Sequence, residues 1–347
     1  MPKTLVAMSG GVDSSAAMLL AMEKYGRDAV CGVTLCLSAD HGADEKNCAD
    51  AKDVCDRLGV PHVSVDARVQ FENAVIDYFT AEYFRGRTPN PCVVCNREIK
   101  FGLLYDWAKE HGFDRIVTGH YAVIETADGT AYLRRAADAR KDQSYVLAML
   151  SQEQLAAADF PLGGMTKPEV RELASSHGFA SASRSDSQDI CFIPDGDYVK
   201  FLTEFRSHAP IRGKYISVDG TVLGEHMGQE CYTIGQRKGL GIALGRHVFV
   251  LEKNAESNTV TLGDAEGLMK DTLAVDGVNL IGRSSISDGE EFHVKIRYAH
   301  RAARAKVFHR EDGKLEVKFE EPQRAPSPGQ FAVLYDGDET VGGGVIV

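Results

Sequence analysis

Residues 9–14 read Ser9-Gly10-Gly11-Val12-Asp13-Ser14, set between a short apolar run at 5–8 and an Ala/Leu/Met-rich stretch at 16–22. The order is strand, glycine turn, first turn of a helix. Glycines let a backbone approach an anion closely, and the free N–H groups and positive dipole end of the helix then face it. No Lys stands before the serines, so the string is not a GxxxxGK[ST] phosphate loop, and a γ-phosphate has no dedicated point charge. An acid inside an anion-binding loop calls for Mg²⁺ or a ribose beside it. The unit commits the head of the chain to an α/β sheet with a ligand at the carboxyl ends of its strands.

The chain has 347 residues, 44% of them hydrophobic, enough for two or three domains with ordinary cores. A net charge of −11 argues against a nucleic-acid partner, but only on average over the surface. From Phe292 to Arg310 there is no Asp or Glu, while Lys295, Arg297, Arg301, Arg304, Lys306, Arg310 and three His all occur. A basic face on an acidic protein suits tRNA; the same run also reads as a solvated strand pair. Eight cysteines with no apolar leader point to the reducing cytoplasm, and no stretch is long enough to span a membrane.

Strand-like and helix-like segments alternate in the first half. Strands are expected at 29–37, 60–65 and 115–118, and helices at 47–58, 71–84 and 96–111. The pattern implies a parallel sheet with helices on both faces. Residues 123–133 read as a hairpin turning at Asp128-Gly129. Thr166 and Glu169 form a capping box, with Pro168 in the first turn. Past about residue 205 short β runs are broken by Asp-Gly turns. The expected division is a nucleotide-binding catalytic domain with a helical extension at 1–204, a small β-rich domain at 205–269 and a barrel-like β domain at 270–347.

Thr88-Pro89-Asn90-Pro91-Cys92-Val93-Val94-Cys95-Asn96 holds the backbone extended just before two cysteines at C-x-x-C spacing. Such a pair can bind metal, exchange disulfides, or present a thiol of lowered pKa at a helix N-terminus. A further cysteine, Cys191, follows in Ser187-Gln188-Asp189-Ile190-Cys191-Phe192-Ile193; by itself it reads as a buried structural thiol. The other five read as structural. Cys48 and Cys55 share one helix face, Cys31 and Cys36 lie in a strand, and Cys231 lies in a β segment.

These strings, with TGHYA at 118–122, KDQSYVL at 141–147, IGQRKGLG at 234–241 and PGQ at 328–330, run in order over nearly the whole chain. Together they resemble the tRNA-specific 2-thiouridylase (MnmA) family of the ATP-pyrophosphatase (PP-loop) superfamily. The resemblance implies an adenine-nucleotide-α-hydrolase-like N-terminal sheet and ATP-dependent, Mg²⁺-assisted 2-thiolation of the wobble uridine U34 of tRNA. In that scheme O2 is adenylated and a cysteine persulfide then delivers sulfur. Cys191 would carry the persulfide, and Cys95 would be the nucleophile that ends in a disulfide with it. Ala7, Met8, Ser9, Gly10, Gly11, Val12, Asp13, Ser14, Leu35 and Gly119 would line the ATP site. There a Cβ on Gly10 is expected to crowd the phosphates. Asn90, Pro91 and Cys92 would meet the target base. Lys141, Asp142, Gln143, His120, Arg297, Tyr298 and Gln330 would contact the tRNA anticodon stem-loop.

Each of the last group also has a structural reading: His120 satisfying a loop, Gln330 capping a turn, Tyr298 half in a core. Cys92 departs from the family's frequent Asp. It opens an alternative in which Cys92, Cys95 and Cys191 ligate a [4Fe–4S] cluster and sulfur arrives as sulfide. A sulfur-donor or persulfide-relay protein is the expected partner of the persulfide route. Competing classes are an argininosuccinate- or GMP-synthetase-like ligase, which needs no paired redox cysteines, and a non-catalytic tRNA-binding protein.

Overall fold

A computed structural model of the chain describes residues 3–37, 41–179, 190–205 and 209–347, so Ser187, Gln188 and Asp189 lie outside the described residues. Strand β1 (Thr4–Ala7) runs into the glycine loop and helix α1 (Val12–Tyr25). Helix α1 buries Ala16, Ala17, Met18 and Ala21, small side chains that let it lie close on the sheet. Strand β2 (Val30–Cys36), helix α2 (His41–Leu58) and strand β3 (His62–Asp66) follow.

The next helical rod comprises α3 (Arg68–Phe71), a π-helical segment Glu72–Ile76 and α4 (Asp77–Phe84). A second rod is α5 (Pro91–Val94), a π-helical segment Cys95–Leu103 and α6 (Leu104–Glu110). It begins five residues ahead of the sequence expectation of 96. Pro91 fits the first turn, and the Asn90 side chain accepts from the Cys92 N–H at 3.1 Å, so the proline loop itself caps the helix.

Strand β4 (Arg115–Val117) is followed by the hairpin β5 (Ala122–Ala127) and β6 (Thr130–Arg135). Asp128 and Gly129 both have positive φ (50° and 78°), as a tight two-residue turn requires. Helices α7 (Ser144–Leu147) and α8 (Gln152–Ala157), strand β7 (Ala158–Asp159) and helix α9 (Lys167–Ser176) complete the first domain. The Glu169 carboxylate accepts from both the N–H and the hydroxyl of Thr166, closing the start of α9. The sheet runs β3-β2-β1-β4-β7, all parallel. Strand order reverses between β1 and β4, so the crevice where ligands bind lies there.

Helix α10 (Tyr198–Phe205) leads to a four-stranded sheet of β8 (Gly213–Ser217), β9 (Val222–His226), β10 (Phe249–Asn254) and β11 (Thr259–Gly263), ordered β10-β11-β8-β9. Cys231 falls in a short 3-10 turn, Gln229–Cys231, and not in a strand. The turn is shaped by Gly228 at φ 148° and by Gln229, whose amide donates to the carbonyls of Tyr83 and Phe84 on the first domain.

The third domain is β12 (Met269–Leu280), β13 (Glu290–Lys295), β14 (Ala303–His309), β15 (Leu315–Arg324), β16 (Phe331–Asp336) and β17 (Glu339–Ile346). The order β12-β15-β14-β13-β16-β17 closes on itself through β12–β17, which leaves no free edge around the ring. The β5–β6 hairpin then adds to β17 through Glu339↔Arg134 and Thr340↔Leu133. First and third domains therefore share a sheet. Among the described residues no helix is long and apolar enough to cross a membrane.

A second junction joins the same two domains. Thr88 N–H donates to the Pro328 carbonyl at 2.8 Å. Gly329 has φ 91°, and a Cβ there would stand 3.0 Å from Thr88 N and 3.1 Å from Arg87 Cβ. Gly329→Ala is expected to destabilise the folded chain by about 1 kcal/mol or more, seen as a lowered thermal midpoint; an unchanged midpoint would show that the turn yields freely.

Candidate active site

Gly11 is the N-cap of α1, and its carbonyl accepts from the Ser15 N–H and from the hydroxyls of Ser14 and Ser15. Those bonds leave the first N–H groups of α1 aimed at the crevice. Gly10 has φ 71°, and an added Cβ would stand 2.6 Å from Asp50 Cβ on α2. The glycine is thus required by helix packing and backbone conformation; the expected clash with phosphates is not what its Cβ direction shows. Gly119 is needed for a similar reason, since a Cβ there would lie 2.8 Å from the Asp13 carbonyl carbon. Ser9 is exposed at the rim, Ala7 and Leu35 are half-buried strand ends, and Met8 and Val12 are buried supports.

Asp13 is held from two directions. Tyr121 donates its hydroxyl at 2.8 Å, and Lys167 Nζ reaches both carboxylate oxygens at 2.7 and 2.8 Å. Lys167 opens α9 with only 9% of its side chain exposed. The loop lacks a lysine in its own string, yet the fold supplies one from far along the chain. Sequence reading missed it because nothing local marks Lys167 except its place after a capping threonine.

Three thiols lie near one another, with Cys92 and Cys191 both acting on Cys95. Cys95 is buried at 7% exposure, while Cys92 and Cys191 are exposed. All are free thiols. Burial pushes the Cys95 thiol up to about 12, with Cys191 and Cys92 adding their negative charge and Lys100 opposing. Burial also raises Cys191 and Cys92, each again opposed by Lys100. The surrounding protein desolvates these two even though their surfaces are open.

Lys100 is thus the cation common to all three thiols. It lies five residues after Cys95, and the π-helical i→i+5 register places it close to that thiol. The sequence contains it in Ile99-Lys100-Phe101, but an α-helical reading puts positions five apart on different faces. Among the described residues no group of three His, Cys, Asp or Glu side chains could hold a metal ion. The three thiols as arranged do not fit a [4Fe–4S] cluster.

His120 links the two halves of the site. It follows Gly119, accepts or donates with Thr118 Oγ1 at 2.7 Å, and packs between Phe101 and Phe160. Burial, with Lys100 adding, holds its imidazole well below the ordinary range. It is a neutral interior group, not a surface contact for RNA.

The other expected RNA contacts divide sharply. Asp142 is buried, its carboxylate accepting from the N–H groups of Ala136 and Ser144 and from the Ser144 hydroxyl. Gln143 turns its carbonyl to the Tyr121 N–H. Lys141 is half-exposed beside them. Arg297 donates through one nitrogen to the carbonyls of Ile234 and Ala325 and to Ser327 Oγ. It ties the two β domains together, where a tRNA contact was expected. Gln330 donates to the carbonyls of Thr88 and Pro89, so it braces the loop that carries the cysteines.

Tyr298 alone of this group presents a large aromatic face, 41% exposed. Lys295 lies 5.4 Å from its ring centre, and Cys92 is near enough to help raise its phenol. The basic run is also less bare than its sequence implies. Arg304 and Lys306 pair with Glu291, Arg304 also with Glu320, and Arg310 with Asp312.

A glycine loop at the switch point of a parallel sheet, backed by a buried lysine and faced by cysteines, defines a nucleotide-using enzyme of the PP-loop superfamily. Comparison with known sequences narrows this. The tRNA methyl transferase HUP domain family matches residues 2–195, the tRNA methyl transferase PRC-barrel domain 199–264, and the aminomethyltransferase beta-barrel domain 270–346. Proteins named tRNA-specific 2-thiouridylase MnmA are similar throughout. That of Treponema denticola is 45% identical over 99% of this chain and 97% of its own. That of Herpetosiphon aurantiacus is 45% identical over 100% and 98%, and that of Heliobacterium modesticaldum 46% over 99% and 92%.

The chain belongs to this MnmA family. Solved structures align more loosely. The NMN synthetase of Francisella tularensis aligns at TM-score 0.35 and 15% identity over 59% of this chain and 77% of its own. The U34-tRNA thiolase NcsA of Methanococcus maripaludis, with its [4Fe–4S] cluster, aligns at 0.35 and 16% over 59% and 66%.

Two predictions follow from this geometry. Replacing Lys100 by Gln removes the cation opposing the raised thiol pKa values, so less thiolate is present at a given pH. Iodoacetamide should then label Cys191 more slowly in Lys100→Gln, with Lys100→Arg near normal; equal rates in all three would remove Lys100 from the thiol site. Gln330→Ala should lower turnover while tRNA affinity holds, because it frees the cysteine loop and not an RNA-facing amide. Parallel loss of affinity and turnover would make Gln330 a direct contact.

Proposed function

We propose that the chain is an ATP-dependent tRNA-uridine 2-sulfurtransferase acting on the wobble uridine U34 of the anticodon stem-loop. Its products are 2-thiouridine, AMP and pyrophosphate. The observation that carries this reading is membership of the MnmA family, joined to the nearness of Cys92 and Cys191 to Cys95. Asp13, Gly119, His120 and Lys100 form a chain of neighbours from that loop to Cys95. A base adenylated at one end therefore has sulfur close to the other.

ATP enters with its phosphates over Gly10–Ser14, giving the uridine O2–AMP ester and releasing pyrophosphate. Lys167, released from Asp13 as the phosphates arrive, supplies the point charge that the loop itself lacks. Asp13, then free of Lys167, would be the carboxylate to hold a Mg²⁺ accompanying the nucleotide. Cys191, exposed on its loop, takes a persulfide sulfur from a donor protein. The terminal sulfur attacks C2, and AMP leaves with the ester oxygen. The Cys95 thiolate attacks Cys191 Sγ, breaking the persulfide S–S bond and forming the Cys95–Cys191 disulfide. A dithiol reductant resets the pair for the next cycle.

Tyr298 offers its face to the flipped base, a contact that any pyrimidine accepts, and Asn90 and Pro91 fix the loop beneath. Lys141 lies on the tRNA side. Cys92 lines the chamber as a third thiol. The eight free cysteines match a reducing compartment, the cytoplasm.

Single-turnover assays with ATP, unmodified tRNA and a persulfide sulfur donor test the scheme, scoring AMP and 2-thiouridine separately by mass spectrometry. Cys95→Ser and Cys191→Ser should form AMP yet no 2-thiouridine, and Cys92→Ser should make both. Thiolation by Cys95→Ser would end the persulfide scheme. Loss of thiolation in Cys92→Ser, with iron in the anaerobically purified protein, would favour the cluster route instead.

A further inference from the structure

Four of the five cysteines outside the sulfur site lie on or against strand β2, and two of these are unusually placed. Cys36 ends β2 at the carboxyl edge of the sheet, and Cys48 lies on α2 with its Sγ 3.7 Å from that of Cys36. Both are half-exposed free thiols. Ser64 of β3 donates its hydroxyl to Cys48 Sγ at 3.6 Å, which orients the second sulfur toward the first. The contrast with Cys31 and Cys55 is plain, since those are buried in the sheet–helix core.

Helix α2 is not remote from the nucleotide. Asp50, two residues after Cys48, presses against Gly10 of the phosphate loop, and Asp44 accepts from the Leu37 N–H just beyond β2. Leu35, the residue before Cys36, is among those assigned to ATP. A bond between the two sulfurs would thus join the crevice edge to the helix supporting the loop.

We propose that Cys36 and Cys48 are a redox-modification site, closing to an intramolecular disulfide that fixes α2 to the end of β2 and slows nucleotide exchange. The oxidant is a small-molecule disulfide such as glutathione disulfide. The first cysteine thiolate displaces one glutathione thiolate to form a mixed disulfide. The second attacks the protein sulfur of that bond, releasing the second glutathione. Two electrons and two protons pass from the cysteine pair to the oxidant, and two thiols are released. The sulfurs must close from 3.7 Å to a bond of about 2.0 Å, a movement that draws α2 toward the crevice edge. Burial, with Cys48 and Asp44 beside it, pushes the Cys36 thiol up to about 11, so the pair should react slowly at neutral pH and answer to sustained oxidation.

The effect on exchange rests on the nucleotide site proposed above, whereas the cross-link does not, so the two fail separately. The full-length protein would be incubated with glutathione disulfide, its free thiols alkylated, and its peptides mapped by mass spectrometry. Release of a fluorescent mant-ATP would be timed by stopped flow on the same samples, before and after dithiothreitol. A Cys36–Cys48 peptide, with severalfold slower release that dithiothreitol reverses and that Cys48→Ser and Cys36→Ser lack, is the expected result. Oxidation confined to Cys92, Cys95 and Cys191 would overturn the site. A cross-link without change in release, or an equal change in Cys48→Ser, would overturn the control of exchange. Failure of reduced protein to bind mant-ATP at all would overturn both that control and the nucleotide site, leaving the cross-link to be judged on the peptide map.

Discussion

The seat of the 328–330 turn on the loop at Thr88 and Pro89 holds the start of the helix that carries Cys92 and Cys95. The loop carries two prolines, so its backbone has few N–H groups of its own to bond. Its carbonyls at 88 and 89 are taken by Gln330, and the N–H of Thr88 by Pro328. Arg87, just upstream, pairs with buried Glu82 and donates to the Ile346 carbonyl of β17. A loop built from prolines is stiff but not self-supporting, and here the third domain provides the support. The start of the cysteine helix is therefore set by a barrel more than two hundred residues away in sequence.

That dependence explains why the chain has three domains but behaves as one frame. The β5–β6 hairpin adds to β17, Asn279 of β12 donates to the carbonyls of Ala148 and Leu150, and Tyr145 donates to that of Phe331. Phe331, Val333 and Tyr335 of β16 belong to the same apolar cluster as Val93, Cys95 and Ile99. Apolar burial on that scale resists sliding between domains, and the polar bonds around it fix one register. Arg297 performs the same task between the two β domains. An arginine suits this work because its planar fork reaches several acceptors at once.

What could be read from the sequence follows the range of the interactions. The glycine loop, the capping box at Thr166, the Asp128-Gly129 hairpin and the alternation of strands and helices depend on neighbours a few residues apart, and each is found as expected. The resemblance also placed the three cysteines in one region. The pairing of Asp13 with Lys167, the burial of Asp142 and His120, and the inward turn of Arg297 depend on partners in other elements. Sequence alone does not reveal those partners, and the resemblance assigned Asp142, His120 and Arg297 to tRNA. Lys100 was hidden by one extra residue per turn, since a π-helical segment leaves no local mark that distinguishes it from an α-helix.

The same burial that hides Cys95 also gives it a resting state suited to sulfur transfer. A nucleophile that was a thiolate at all times would attack any disulfide or persulfide that reached it, including one on Cys191 before the base was activated. Burial pushes Cys95 toward the neutral thiol, and the neighbouring sulfurs push in the same direction. Only Lys100 opposes them, and its influence grows as water leaves the chamber, because a Coulombic attraction strengthens in a medium of lower dielectric. In the proposed scheme, an RNA loop closing over Tyr298 would remove that water. Desolvation alone would suppress the thiolate further, so the balance turns on how near Lys100 is to the sulfur once solvent has gone. In the proposed scheme Lys100, held in π-helical register, would be the group that decides whether arrival of the substrate raises or lowers the Cys95 thiolate.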